Sequence, residues 1–358
     1  MTNRRDFIKQ ATALSIAGSL SPMAFARQTD NGNSGKMIWA NLLHLGTNMW
    51  EDHPYLEWPE GVYKDDYQCK NSAEAYAWMR GYRPFLIFNE PVWNDILQNM
   101  VTAGMNMVII DLGDGVKYES HPEIAVKNAW STGKLKKELA KIRELGLEPI
   151  PKLNFATTHD AWMGEYSRMV STKRYYEVCR NLIDEVVDLF DTPRFFHLGM
   201  DEEVAHHQMT YNYAVMRQND LWWNDLYFYI DQVEKKGVRP WVWADYGWHQ
   251  PEVFFKKMPK SVLQSNWYYG KDFDVKTNSS VNFYNDLEAH GYDQMPTGSN
   301  WDNNDNMEYT VEHCKNNIDP SRLHGFIMAS WFPTIEVCRD KHKEAISQIM
   351  SAKKRFYR

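Results

Sequence analysis

The stretch KGVRPWVWA, residues 236–244, sets a glycine between a helix-patterned segment and a short apolar run. Glycine adopts the left-handed conformation that ends a helix without the steric penalty a Cβ brings. The apolar run that follows is too short for another helix and reads as a buried strand. The phrase recurs as AGMNMVIID (103–111), LGLEPIPKL (145–153) and HGYDQMPTG (290–298), with Gly104, Gly146 and Gly291 in the place of Gly237. Ahead of Gly146, Leu135, Leu139, Ile142 and Leu145 keep helical spacing; ahead of Phe195, so do Val178, Leu182, Val186 and Phe190. Helix then short buried strand, repeated, implies a parallel sheet with crossover helices.

Eight strands are expected, at 38–46, 106–111, 148–153, 195–200, 239–244, 262–266, 293–298 and 325–330. Eight such units predict an α/β fold, a single (β/α)8 TIM barrel over residues 37–358. A doubly wound open sheet is the alternative, but the Gly-rich phosphate loop that accompanies many such sheets is missing. Residues 47–90 break the rhythm and read as a long insertion after the first strand, rich in Trp, Tyr and acidic residues.

At 358 residues, 43% hydrophobic and 24% charged, the chain suits a globular protein with a large core. Its net charge of −7 argues against a nucleic-acid-binding surface. Cys69, Cys179, Cys314 and Cys338 are scattered without a C-x-x-C pair, so they are expected as unpaired thiols. No cofactor or metal is expected. At the N-terminus, Arg4 and Arg5 precede the small and apolar run ATALSIAGSL, and AFA at 24–26 offers a cleavage site. Residues 1–26 thus read as a signal peptide similar to the twin-arginine type, and the polar 27–36 as a flexible leader. No later apolar run reaches the roughly 20 residues of a membrane span. The expectation is export to the periplasm or beyond.

A barrel carries its chemistry on the loops leaving the C-terminal strand ends. Those ends supply Trp50, then Asp111 and Asp114, then Asn154 and His159, then Asp201, Glu202 and Glu203. The later strands supply Trp243 and Asp245, then Asn266, Trp267 and Tyr269, then Asn300 and Trp301, then Ser330 and Trp331. Three adjacent carboxylates do not belong inside a strand, because unpaired buried charge is costly. Acids on one wall and aromatic plates on others suit a carbohydrate, whose hydroxyls need acceptors and whose C–H faces need flat apolar surfaces.

FHLGMDEE (196–203) resembles the His-x-Gly-x-Asp-Glu strand motif of family-20 glycoside hydrolases, the β-N-acetylhexosaminidases. LGLEPIPKLNFATTHDAW, RPWVWAD, VLQSNWYYG, MPTGSNW and ASWFP are similar to that family's third, fifth, sixth, seventh and eighth strand regions. The resemblance implies that Glu202 is a general acid with a pKa raised by its pocket. It implies that Asp201 orients the substrate's 2-acetamido group, which attacks the anomeric carbon in a retaining, substrate-assisted reaction. Trp243, Trp267 and Trp331 would enclose the acetamido group and sugar face, with His159 near the acid. Asp111, Asp245, Tyr269 and Trp301 complete the expected carbohydrate-binding set. Both carboxylates can face one pocket only if the strand bends, since successive strand residues point to opposite sides. The chain departs from the family pattern at its first strand, where MIWANLLHLGTNMW carries no arginine. It departs again where Phe332 and Pro333 follow Trp331 in place of a Trp-x-Glu, and where Trp301 stands for a tyrosine.

Three other readings compete. One is a catalytically silent barrel that binds glycans. Another is a metal-dependent barrel using His197, Asp201, Glu203, His206 and His207, although His206 and His207 read as solvated residues. The third takes Asp201–Glu203 as a helix-capping acidic run.

Overall fold

The computed structural model describes residues 37–53 and 69–357. The signal peptide, the leader and part of the 47–90 insertion lie outside the described residues. Eight parallel strands form the barrel: β1 (Ile38–His44), β2 (Met107–Asp111), β3 (Glu148–Lys152), β4 (Phe195–His197), β5 (Arg239–Trp243), β6 (Leu263–Ser265), β7 (Thr297–Gly298) and β8 (Gly325–Ala329). They neighbour one another in the order β6, β5, β4, β3, β2, β1, β8, β7. Parallel bridges Gln264–Gln294 and Trp267–Thr297 join the two ends, so the sheet closes and the open-sheet alternative falls. All eight expected strands are present, each shortened by a residue or more.

The glycines fall where the helix ends need them. Gly104, Gly146, Gly237 and Gly291 have φ of 70°, 79°, 75° and 69°. Each is followed by a residue whose N–H reaches five positions back: Met105 to Met100, Leu147 to Ile142, Val238 to Val233, Tyr292 to Leu287. That is the Schellman closure, and it launches each chain segment from a helix straight into the next strand.

Strand alternation sorts the core into two shells. Met107 and Ile109 of β2, Ile150 of β3, Trp241 and Trp243 of β5 and Ile327 of β8 point into the barrel. Val108, Ile110, Val242, Phe326 and Met328 point outward against the helices. Those helices are amphipathic, as α4 (Lys173–Leu189) shows by burying Val178, Leu182, Val186 and Leu189; α1 (Ser72–Arg80), α2 (Glu90–Thr102) and α3 (Thr132–Glu144) precede it. A satellite cluster of Ala75, Trp78, Met79, Phe85, Ile87, Phe332, Ile335 and Cys338 seats α1 on the barrel's rim. Thus part of the insertion is a docked helix.

β3 carries two prolines, which lack the N–H a central strand donates. Glu148 and Leu112 bond on the β2 side, whereas Leu153 and Phe155 donate to His197 and Leu198 on the β4 side. By alternation Pro149 and Pro151 also face β4, and the β3–β4 pairing shrinks to Lys152 with His197. The strand bearing the acidic motif is therefore loosely tied on one flank, and its exit is free to bend.

Candidate active site

β4 stops at His197 because the chain turns there. Gly199, Met200 and Glu202 have φ of 73°, 77° and 52°, left-handed values that are costly for the two side-chain-bearing residues. A Cβ on Gly199 would lie 1.9 Å from Asn154 Oδ1, so only glycine fits. The same Asn154 oxygen accepts from Met200 N (3.3 Å) and Ala156 N (3.0 Å), which pins the bend. This is the distortion that lets successive acids face one side.

Asp201 and Glu202 both line a cavity of about 310 Å³ at the C-terminal strand ends, within the roughly 300–1,000 Å³ of small-molecule sites. Asn154 and His159 complete that wall, and Trp243, Trp267, Tyr269 and Trp331 form the floor and far side. Trp301, 41% exposed, stands at the mouth with Trp50. Trp267 stacks on Tyr269 with centroids 5.0 Å apart and is backed by Trp248. Trp331 holds a left-handed φ of 58°, a second strained residue on the cavity wall.

Asn154 Nδ2 donates to Asp201 Oδ1 at 2.8 Å. His159 Nε2 lies 3.4 Å from Asp201 Oδ2 and 3.1 Å from Glu202 Oε2. Burial works to lower the His159 pKa, but Asp201 and Glu202 outweigh it and the net shift is upward. Glu202 is shifted down: burial pushes up, yet His159, His207 and Arg80 together prevail. The expected raised acid is thus corrected for the free protein, where His159 is shifted up and Glu202 down by their mutual attraction. One donor atom from each of His159, Asp201 and Glu202 lies within 4.8 Å of the others, so a divalent cation could be held there in competition with a proton.

Glu203 turns the other way. Its buried carboxylate takes Arg217 Nε at 3.1 Å and Nη2 at 2.6 Å, plus Thr157 N at 3.2 Å. Arg217 also donates to Asp225 and Tyr229. Glu203 anchors the loop from behind. No helix begins at these acids, since the next turn starts at Ala205, and the capping reading falls. The proposed set of His197, Asp201, Glu203, His206 and His207 is not assembled either. His197 is buried against Trp241 and Trp243 inside the barrel.

Asp111 and Asp245 are not on the cavity wall. Asp111 is buried in a pair with Lys152 and beside His44 (3.5 Å); burial opposes its charge, but Lys152 holds it down at about 2. Asp245 accepts from Glu202 N at 2.8 Å and from Trp267 Nε1 at 3.3 Å, positioning both from below. Burial, then the charge of Asp201, pushes Asp245 up to about 8. Asp114 accepts from Asn48 at 2.7 Å and is likewise off the wall.

Four lining residues escaped sequence reading, Met49 beside Trp50 among them. Tyr76 and Arg80 come from α1, and His207, read as solvated, lies 3.5 Å from Glu202. A strand-end rule points to neither a helix in an insertion nor a turn just past the motif. The abundance of Trp also proves to be largely packing: Trp93, Trp162, Trp222, Trp223 and Trp241 are fully buried.

No protein-family model and no curated protein matches the sequence. Solved structures do match. The β-N-acetylhexosaminidase of Bacteroides fragilis aligns with a TM-score of 0.51 over 87% of this chain and 65% of that one, at 12% identity. The family-20 β-N-acetylhexosaminidase of Streptomyces coelicolor gives 0.52 over 72% and 61%, at 10% identity. The chitobiase of Flavobacterium johnsoniae gives 0.50 over 75% and 49%, at 16% identity. This chain therefore spans about half the length of the chitobiase and under two thirds of the other two. The likeness is one of fold: a (β/α)8 barrel such as these hexosaminidases have.

Proposed function

We propose that the protein is an exported glycoside hydrolase that removes N-acetylhexosamine from glycans by a retaining, substrate-assisted reaction. The observation that carries this reading is the left-handed bend at Glu202, which turns two successive carboxylates into one aromatic-walled cavity. The bend is strained, and strain of this kind persists where a site requires it.

In this reading Asp201, held by Asn154 and His159, accepts the N–H of the 2-acetamido group and aims its carbonyl oxygen at C1. That oxygen bonds to C1 while the C1–O bond to the leaving group breaks. Glu202 gives its proton to the departing oxygen; a water later attacks C1, breaking the bond to the acetamido oxygen and restoring the acetamide, returning a proton to Glu202 and leaving the sugar with its configuration retained. In this reading the proton comes through His159, whose pKa is shifted up beside the two carboxylates. A seated sugar displaces water, and desolvation favours neutral imidazole and neutral carboxyl together. The proton then moves from His159 Nε2 across 3.1 Å to Glu202. Trp267 and Trp331 face the ring, and Asp245 fixes the backbone of Glu202. Export rests on the N-terminal sequence, and among the described residues no helix is long and apolar enough to cross a membrane.

Glu202→Gln tests the reading. It keeps shape and removes the transferable proton, so substrates with poor leaving groups should lose about 10²–10⁴-fold in turnover. Activated aryl N-acetylglucosaminides should lose much less. Equal losses on both, or glycan binding without hydrolysis by the native protein, would reject it.

A further inference from the structure

Among the described residues one permanently charged cation reaches the cavity, and no barrel strand supplies it. Arg80 is the only lysine or arginine among the described residues lining the site. It ends α1, where a cation suits the helix dipole, but its position does more than that. The guanidinium carbon lies 5.5 Å from the ring centre of Trp50 and 5.9 Å from that of Tyr76. Tyr76 in turn packs on Trp301 (3.9 Å) and Phe332 (6.1 Å), and Ala75, Trp78 and Met79 bury the other face of α1. The helix is thus seated, and an aromatic collar holds a planar guanidinium at the mouth. A guanidinium held beside two rings presents a planar fork of donors, matched to the paired oxygens of a carboxylate or sulfate.

We propose that the glycan this cavity accepts is anionic, an N-acetylhexosaminide bearing a sulfate ester or a carboxylate, and that Arg80 on its Trp50–Tyr76 platform recognises that group. The inference rests on the glycosidase reading and names its substrate class. The surroundings favour an anion over a neutral hydroxyl. Arg80 lines the same cavity as Glu202, and its charge adds to the pull of His159 and His207 that favours the ionised carboxylate. A permanent cation beside a residue that must carry a proton opposes catalysis. A ligand anion that pairs with Arg80 offsets that contribution and adds to the desolvation that favours a protonated Glu202.

The test separates binding from turnover. Titration calorimetry on the Glu202→Gln protein would use N-acetylglucosamine, its 3-sulfate and 6-sulfate, and a disaccharide joining glucuronate to N-acetylglucosamine. At least one anionic probe should bind about tenfold or more tightly than the neutral sugar, the worth of one charge-assisted contact. Arg80→Gln in that background should erase the difference while changing neutral-sugar affinity little. Which probe gains distinguishes sulfate from carboxylate. Equal affinity for neutral and anionic sugars, no binding of any anionic probe, or an equal loss for all probes in the Arg80 variant overturns the proposal. If anionic sugars bind as expected but the native protein cleaves no glycoside, the glycosidase reading fails and the anion site stands. If neutral aryl N-acetylglucosaminides are cleaved as fast as sulfated ones and Arg80→Gln alters neither rate, the anion site fails and the glycosidase stands.

Discussion

Replacing Arg217 by methionine should cost a large part of the fold's stability while sparing the chemistry of the two acids in front of it. The arginine is buried and donates to Glu203, Asp225, Tyr229 and the carbonyl of Phe155. Methionine fills similar space but leaves Glu203 with the Thr157 N–H as its remaining hydrogen-bond donor. Asp225 keeps Ser171 and Tyr176. Removing one partner of a buried ion pair strands the other's charge and typically costs about 3–5 kcal/mol. Against a total stability of about 5–15 kcal/mol this is severe; in urea it corresponds to a midpoint drop on the order of 1 M. Two further measurements isolate the cause. Glu203→Gln in the Arg217→Met background should recover part of the loss, giving an interaction energy above about 1 kcal/mol. The deficit should also shrink on acidification from pH 7 towards 5. Burial already holds the Glu203 pKa up against the pull of Arg217, and without Arg217 it rises further. A carboxyl whose folded pKa is raised binds more protons folded than unfolded, so stability is regained as pH falls. A loss under about 1 kcal/mol, or a deficit independent of pH, would refute the assignment of Glu203 to the scaffold.

Gly199→Ala meets both a φ of 73° and the side chain of Asn154, and should destabilise by about 2 kcal/mol or more in thermal unfolding. It should also cut turnover, since Asn154 holds Asp201. Asp245→Asn should flatten the stability profile between pH 5 and 8: the native carboxyl, raised from 3.8 to about 8, favours the fold when protonated and loses that contribution as pH climbs. Melting temperatures across that range, falling for the native protein and level for the variant, would show it. Trp267→Ala should weaken sugar binding about tenfold or more but cost less than the 3–5 kcal/mol of a fully buried tryptophan, because its outer surface stays half-buried at the cavity; calorimetry and urea unfolding together decide.

The repeating glycine phrase made the barrel legible, because a helix end and a buried strand each impose a local pattern that survives without neighbours. Strand ends located His159, Glu202, Trp267 and Trp331 at one mouth for the same reason. What the ends do not encode is direction and partnership. Asp111 sits at the proper height but pairs with Lys152, 41 positions away, and Asp245 serves a backbone N–H rather than a ligand. The charge state of Glu202 depends on His159, 43 residues earlier, and the approach of that ring leaves no trace in local spacing. Tyr76 and Arg80 lie on a short helix whose docking depends on Phe332, Ile335 and Cys338, far along the chain. Such residues become visible only when the fold is closed.

The most direct test compares initial rates on two aryl β-glycosides with one leaving group, differing only in a 2-acetamido or a 2-hydroxyl substituent. An internal nucleophile held in line with C1 carries a large effective concentration. The acetamido substrate should therefore be cleaved at least about a thousandfold faster, and Asp201→Asn should remove most of that advantage. Comparable rates on the two glycosides, or an advantage indifferent to Asp201, would contradict substrate assistance at this site.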